Sequence, residues 1–163
     1  DFRAEERLAQ LVVQVAGRAG RARKPGRVLL QTHQPDHPLL RHLLAHGYAT
    51  VAGELLAERQ LVQLPPYSHQ VLLRAEAPRS ESVDAFLAAA CAALPTGAPL
   101  QIAGPMPAPM ALRAGRHRGQ LLIEASHRSV LRGLLRPWQQ ALAALPTPRQ
   151  LRWSLDVDPI DLY

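Results

Sequence analysis

Between residues 68 and 158 the spacing of apolar residues switches between a period of two and a period near 3.6, in an order few folds accommodate. Gln70–Ala77 alternates as a strand, and Ser82–Leu94 places Val83, Phe86, Leu87, Ala90 and Leu94 on one helical face. Leu100–Ala103 and Gln120–Ala125 are short strands. From Ser126 or His127 to about Leu145 a helix turns Leu131, Leu134, Leu135, Trp138 and Leu142 inward, and Pro137 should kink it. Arg149–Val157 closes the series with Leu151, Trp153, Leu155 and Val157 at every second position. The order β-α-β-β-α-β predicts a ferredoxin-like domain, with two right-handed crossovers placing both helices on one face of an antiparallel sheet. Gly104-Pro-Met-Pro-Ala-Pro-Met110 reads as a rigid extended connector, because its prolines deny both helix and ladder hydrogen bonds.

Upstream, Leu64-Pro65-Pro66-Tyr67 stops a long helical pattern and divides the chain into residues 1–65 and 66–163. That pattern opens at Pro38 and carries Leu40, Leu44, Tyr48, Val51 and Leu55, with breaks admissible at Gly47 or Gly53. Arg27–His33 reads as a strand after the turn Lys24-Pro25-Gly26. Residues 4–16 read as a helix anchored by Leu8, Leu11, Val12 and Val15.

That first helix ends in Gln14-Val-Ala-Gly-Arg-Ala-Gly-Arg21. If the turn stays helical, Gln14, Arg18 and Arg21 share one face. Gly17 and Gly20 clear space beside the arginines. Two fixed guanidinium groups suit the spread charge of a transferring γ-phosphate, as in an arginine finger. The chain contains neither a G-x-x-x-x-G-K-[ST] phosphate loop nor an acidic Mg²⁺-binding box, so it is expected to hydrolyse no ATP alone. The alternative for the octapeptide is a basic turn on a surface helix.

The 163 residues carry a formal charge of +6 with arginine far ahead of lysine, which favours phosphate or acidic-peptide partners. One cysteine, Cys91, lies in an alanine-rich helix and excludes an internal disulfide or a cysteine-based zinc site within this chain. No leader or membrane span is read, and the cytoplasm is the expected compartment. The histidines yield no metal site; His42 and His46 at i, i+4 would hold one only weakly.

Two basic clusters remain. Arg128, Arg132 and Arg136 recur at i, i+4, i+8, either as a solvated helix face or as a receiver for an acidic peptide terminus. Arg113, Arg116, His117 and Arg118 crowd the turn between the middle strands, either as phosphate contacts or as a plain hairpin tip. No aromatic residue interleaves them, so base stacking is not expected there. Asp156 and Asp158 alternate on the last strand beside Pro159, which suggests turn chemistry or a structural ion pair.

Leu64-Pro-Pro-Tyr-Ser-His69, the proline-rich Gly104–Met110, Gly115-Arg-His-Arg118 and the closing Arg152-Trp-Ser-Leu-Asp-Val-Asp-Pro159, in this order after the arginine element, resemble the primosomal protein N-prime family of superfamily 2 replication-restart helicases. The resemblance spans essentially the whole chain. It implies an ATP-dependent 3′-to-5′ DNA helicase that binds abandoned forks and starts primosome assembly, of which this chain would be the C-terminal region. Residues 1–65 would then be the tail of a RecA-like lobe, in an α/β (α+β) arrangement with the ferredoxin-like domain. Gln14, Arg18 and Arg21 would face ATP phosphates, with ATP, Mg²⁺ and structural zinc held by the intact protein and no cofactor by this chain. Arg113, Arg116 and Arg118 would touch forked or single-stranded DNA. Arg128 and Arg132 would receive the acidic C-terminal tail of single-stranded DNA-binding protein, alongside other primosome partners and no membrane. The competing function is a stand-alone ferredoxin-like nucleic-acid-binding module, in which Gln14–Arg21 has no purpose.

Overall fold

The computed structural model describes residues 2–19 and 26–162. They form two compact units, Asp1–Val62 and Gln63–Tyr163.

In the first unit, α1 (Ala4–Ala19), α2 (Pro38–His46) and α3 (Tyr48–Leu61) enclose a small core of Ala9, Leu39, Leu43 and Val51. Glu5 and Glu6 stand in the first turn of α1 and Arg18 in its last, both favourable to the helix dipole. The helical pattern that opens at Pro38 breaks at Gly47, whose φ of 79° suits glycine alone, while Gly53 stays helical. Arg59 is the exception to an apolar interior. Its Nη2 donates to Glu6 Oε2 at 2.7 Å, and its guanidinium lies 5.1 Å from the Phe2 ring centre.

Two expectations fail in this unit. Arg27–His33 forms no strand, because among the described residues no other strand of the unit supplies the ladder that its N–H and C=O groups would need. The anchoring stripe of α1 is narrower than its sequence suggests. Ala9 is buried and Val12 partly so, whereas Leu8, Leu11 and Val15 are exposed. The α1 helix meets α2 and α3 along one side, and those three residues lie off it.

The second unit is the expected β-α-β-β-α-β series. It consists of β1 (His69–Ala77), α4 (Ser80–Ala92), β2 (Gln101–Arg113), β3 (Arg116–Ala125), α5 (Arg128–Ala144) and β4 (Arg152–Val157). The strands stand in the order β2-β3-β1-β4 and every neighbouring pair is antiparallel, which is the ferredoxin-like arrangement. Central β1 carries Val71-Leu72-Leu73, all fully buried. Val71, Leu73, Ala75, Leu121, Ile123 and Ala125 share one core with Val83, Phe86, Leu87 and Ala90 of α4 and Leu131, Leu134, Trp138 and Leu142 of α5. Gly119 lets α4 come close, since a Cβ there would sit 2.8 Å from both Val83 Cγ1 and Leu87 Cδ1. Trp138 ties the helices together: its Nε1 donates to Ala90 O at 2.9 Å.

The stretch read as a connector is in fact the middle of β2, which runs unbroken through Pro105, Pro107 and Pro109. It stands at the sheet edge, where proline costs no ladder bond if its nitrogen faces away from the neighbour. Met106 lies opposite Gln120 and Pro107 opposite Gly119, with register shifts on either side. The β2–β3 turn is only Ala114-Gly115, both at positive φ, which matches the twist of a two-residue hairpin.

Candidate functional site

The two ends of the second unit bring the predicted basic residues into different surroundings. At one end, α5 begins directly above the place where β4 leaves the sheet. The helix has no acidic residue in its first turn and no side-chain cap, so its N-terminal backbone donors and Arg128 point the same positive character outward. Arg128 and Arg132, one turn apart, form the lip of a cavity of about 360 Å³. Its floor is Leu131, Leu135 and Val157, and His69 and Asp158 complete the wall. Val157, the last residue of β4 and opposite Val71, belongs to the apolar alternation of that strand yet is 45% exposed, and it lines the cavity. Arg136, the third member of the stripe, is exposed and does not line the cavity.

Asp158 holds the charge arrangement. Arg128 Nη2 donates to its Oδ2 at 3.2 Å, and His69 Nδ1 lies 3.8 Å from its Oδ1. The residue is at φ 51°, a left-handed conformation that aspartate tolerates better than most residues. Its backbone N–H donates to Gln70 O at 2.8 Å. Asp158 therefore shows both the turn chemistry and the ion pair that its sequence setting suggests. Asp156 faces elsewhere and accepts from Arg74 Nη1 at 3.2 Å.

At the opposite end, the hairpin arginines separate. Arg116 is engaged internally: Nε donates to Glu76 Oε1 at 2.9 Å, and Nη2 donates to Glu76 O at 3.2 Å and Gln150 O at 2.6 Å. It fastens the hairpin to β1 and to the approach to β4. Arg113, at the tip, is exposed and Arg118 half-buried. Two arginines absent from the sequence expectation join them. Arg79, just beyond β1, and Arg152, first in β4, have side chains 79% and 77% exposed, and Arg152 Nη1 is 3.9 Å from Glu76 Oε1. Only the sheet register brings them here, since Glu76 lies opposite both Arg118 and Arg152. Glu81 is held below the usual carboxylate range, first by a hydrogen bond from its own backbone N–H and then by Arg79 and His117.

In the first unit, Gln14 and Arg18 stand exposed on α1, while Arg21 lies outside the described residues. Among the described residues no three His, Cys, Asp or Glu side chains converge as a metal site. The His42 and His46 rings contact each other at 4.5 Å, and His42 Nε2 is 3.1 Å from Glu54 Oε1 but outside hydrogen-bonding geometry. No helix among the described residues is long and apolar enough to cross a membrane.

Residues 60–160 match the primosomal protein N C-terminal domain, which covers the whole β-α-β-β-α-β series. The chain belongs to this family. It is 51% identical over 166 residues to the replication restart protein PriA of Haemophilus influenzae, covering 99% of this chain and 22% of that protein. The proteins of the same name from Synechocystis and Bacillus subtilis are 32% and 33% identical, over 99% and 98% of this chain and 19% and 20% of theirs. The chain thus spans about a fifth of the length of these relatives. Within this primosomal protein N C-terminal domain, His69 and Asp158 are the cavity residues that sequence spacing did not assign. Both stand in stretches that carry the family resemblance, but they lie 89 positions apart and meet only through the β1–β4 pairing.

Proposed function

We propose that this chain serves replication restart as the C-terminal region of an ATP-dependent DNA helicase, and that its ferredoxin-like domain is a docking module for acidic peptide and DNA. The observation that carries the docking reading is the cavity under Arg128 and Arg132. An apolar floor below two guanidinium groups fits an acidic peptide end whose carboxylates meet the arginines while an apolar side chain enters below. The C-terminal tail of single-stranded DNA-binding protein is the partner that the family resemblance implies.

The hairpin end supports a second contact of the same module. Arg113, Arg118, Arg79 and Arg152 present cations there with Glu76 and Glu81 as neighbouring acids, a composition suited to the phosphate backbone of forked or single-stranded DNA. Arg116 is the frame of that surface and has few donors to spare for it. In the intact helicase, Gln14, Arg18 and Arg21 would complete an ATP site whose phosphate loop, Mg²⁺ ligands and zinc cysteines belong to other segments.

The test is a fluorescence anisotropy titration of the chain with a labelled acidic peptide ending in an apolar residue, compared with Arg128→Ala and Arg132→Ala. Each charge-assisted hydrogen bond lost is worth about 1.5–3 kcal/mol before solvent screening. Because both side chains are exposed, a fivefold to tenfold loss at low salt is expected, shrinking as salt rises. Equal affinity for all three proteins at low salt would leave the stripe a solvated face.

A further inference from the structure

The guanidinium best placed to meet an incoming carboxylate already has one. Arg128 donates to Asp158 Oδ2 at 3.2 Å, and both residues line the same cavity. Asp158 does not reach it on a loose tether. Its N–H is tied to Gln70 O at 2.8 Å, Gln70 is buried in β1, and the left-handed backbone at φ 51° turns the chain directly after β4. The carboxylate is therefore delivered to the lip of the cavity by the sheet itself. There it offsets one of the two arginine charges, and the other oxygen stands 3.8 Å from His69 Nδ1.

We propose that Asp158 is an internal competitor for this pocket: it occupies Arg128 in the free domain and yields it when an acidic ligand docks. The proposal rests on the reading of the cavity as a receiver of acidic peptides. A ligand carboxylate at Arg128 either displaces Asp158 or lies beside it, and like charges oppose each other in both cases. The geometry sets the scale of the effect. The Arg128 side chain is 69% exposed and that of Asp158 39%, so their pair is a surface pair and dislodging it is a modest barrier. Such a device weakens the binding of isolated carboxylates and favours a segment with several acidic groups.

The experiment compares the full chain with Asp158→Asn, Arg128→Ala and the double variant, using the labelled acidic peptide at low salt. Asparagine tolerates the left-handed backbone and retains the shape of the side chain. Asp158→Asn should bind the peptide about threefold to fivefold more tightly, and this gain should fall below twofold once Arg128 is alanine. If Arg128→Ala weakens binding but Asp158→Asn leaves it unchanged or weaker, Asp158 is a support for Arg128 and the competitor proposal fails alone. If Arg128→Ala binds like the unmodified chain, the peptide reading fails and the proposal falls with it. A measurement on the unmodified chain covers the case of a variant that does not fold. The Asp158 carboxyl ¹³C resonance should move when the peptide saturates the protein, and a stationary signal overturns the proposal.

Discussion

Replacing Trp138 by phenylalanine should cost the second unit far more than one ring swapped for another. The C-terminal turn of α4 explains why. In a continuing helix Ala90 O would accept from the N–H of Leu94, but that N–H goes to Cys91 O at 3.1 Å. The indole Nε1 of Trp138 takes its place at 2.9 Å, in a buried setting. Phenylalanine has no donor, so a buried carbonyl loses that partner, at about 1–3 kcal/mol. The smaller ring also leaves a void of roughly 40 Å³, worth about 1 kcal/mol. The sum, about 2–4 kcal/mol, is a large part of the stability of a domain this size and corresponds to a fall in Tm on the order of 10–20 °C. Urea unfolding followed by far-UV circular dichroism reads it directly. Trp153→Phe is the control: that ring is only partly buried and stacks on Phe86 at 6.1 Å, and its loss should cost about 1 kcal/mol. Equal losses for the two variants, or less than 1 kcal/mol for Trp138→Phe, would refute the idea that the indole closes α4.

Further outcomes follow from other sites. Gly119→Val should destabilise by about 2 kcal/mol or more in the same unfolding assay, since Val83 and Leu87 would have to move within a packed core. Arg116→Gln should lower Tm by several degrees, at about 1 kcal/mol, by freeing the hairpin from Glu76 and Gln150. Arg113→Gln should leave Tm unchanged and, on the proposed DNA surface, reduce the salt slope of DNA binding by about 0.7–0.9. Glu81 should titrate, by carboxyl ¹³C NMR, with a midpoint below the ordinary glutamate value. Because its folded-state value is depressed, its contribution to stability is present above the unfolded value and fades as pH falls through the folded one; Glu81→Gln should abolish that part of the acid response.

The second unit was legible because β1 and β3 carry buried apolar runs and each helix a clear stripe: Val83, Phe86, Leu87, Ala90 and Leu94 are all buried as their spacing requires. Chain order alone then limited the sheet to few topologies. What escaped was whatever depended on lateral position. The prolines of β2 looked incompatible with a ladder because their place at an edge is a property of the sheet, not of the segment. Arg27–His33 has strand composition, but composition supplies no neighbour. In the cavity, the i, i+4 rule found Arg128 and Arg132 as a pair, since helical neighbours are encoded locally. Their counter-charge Asp158 is 30 positions away, and its partnership with Arg128 exists only once β4 has paired with β1. The hairpin divided in the same way. Arg113 and Arg116 look alike in sequence, and only register shows that one is a tip and the other a fastener.

The spacing of Pro105, Pro107 and Pro109 has an effect on how copies of this domain meet one another. Each of them removes a backbone donor from this edge strand, and the register shifts on either side of Met106 and Pro107 interrupt its ladder. With β3 on the inner side, the outer rim of this stretch is irregular and poor in the donors that a docking strand would need. An incoming strand would find no regular ladder to continue along this stretch. The rim is thus a poor template for sheet extension, even though it exposes Met110 and Leu112, the kind of side chains that otherwise invite aggregation. Replacing these prolines would return donors to that rim and remove one of its two protections.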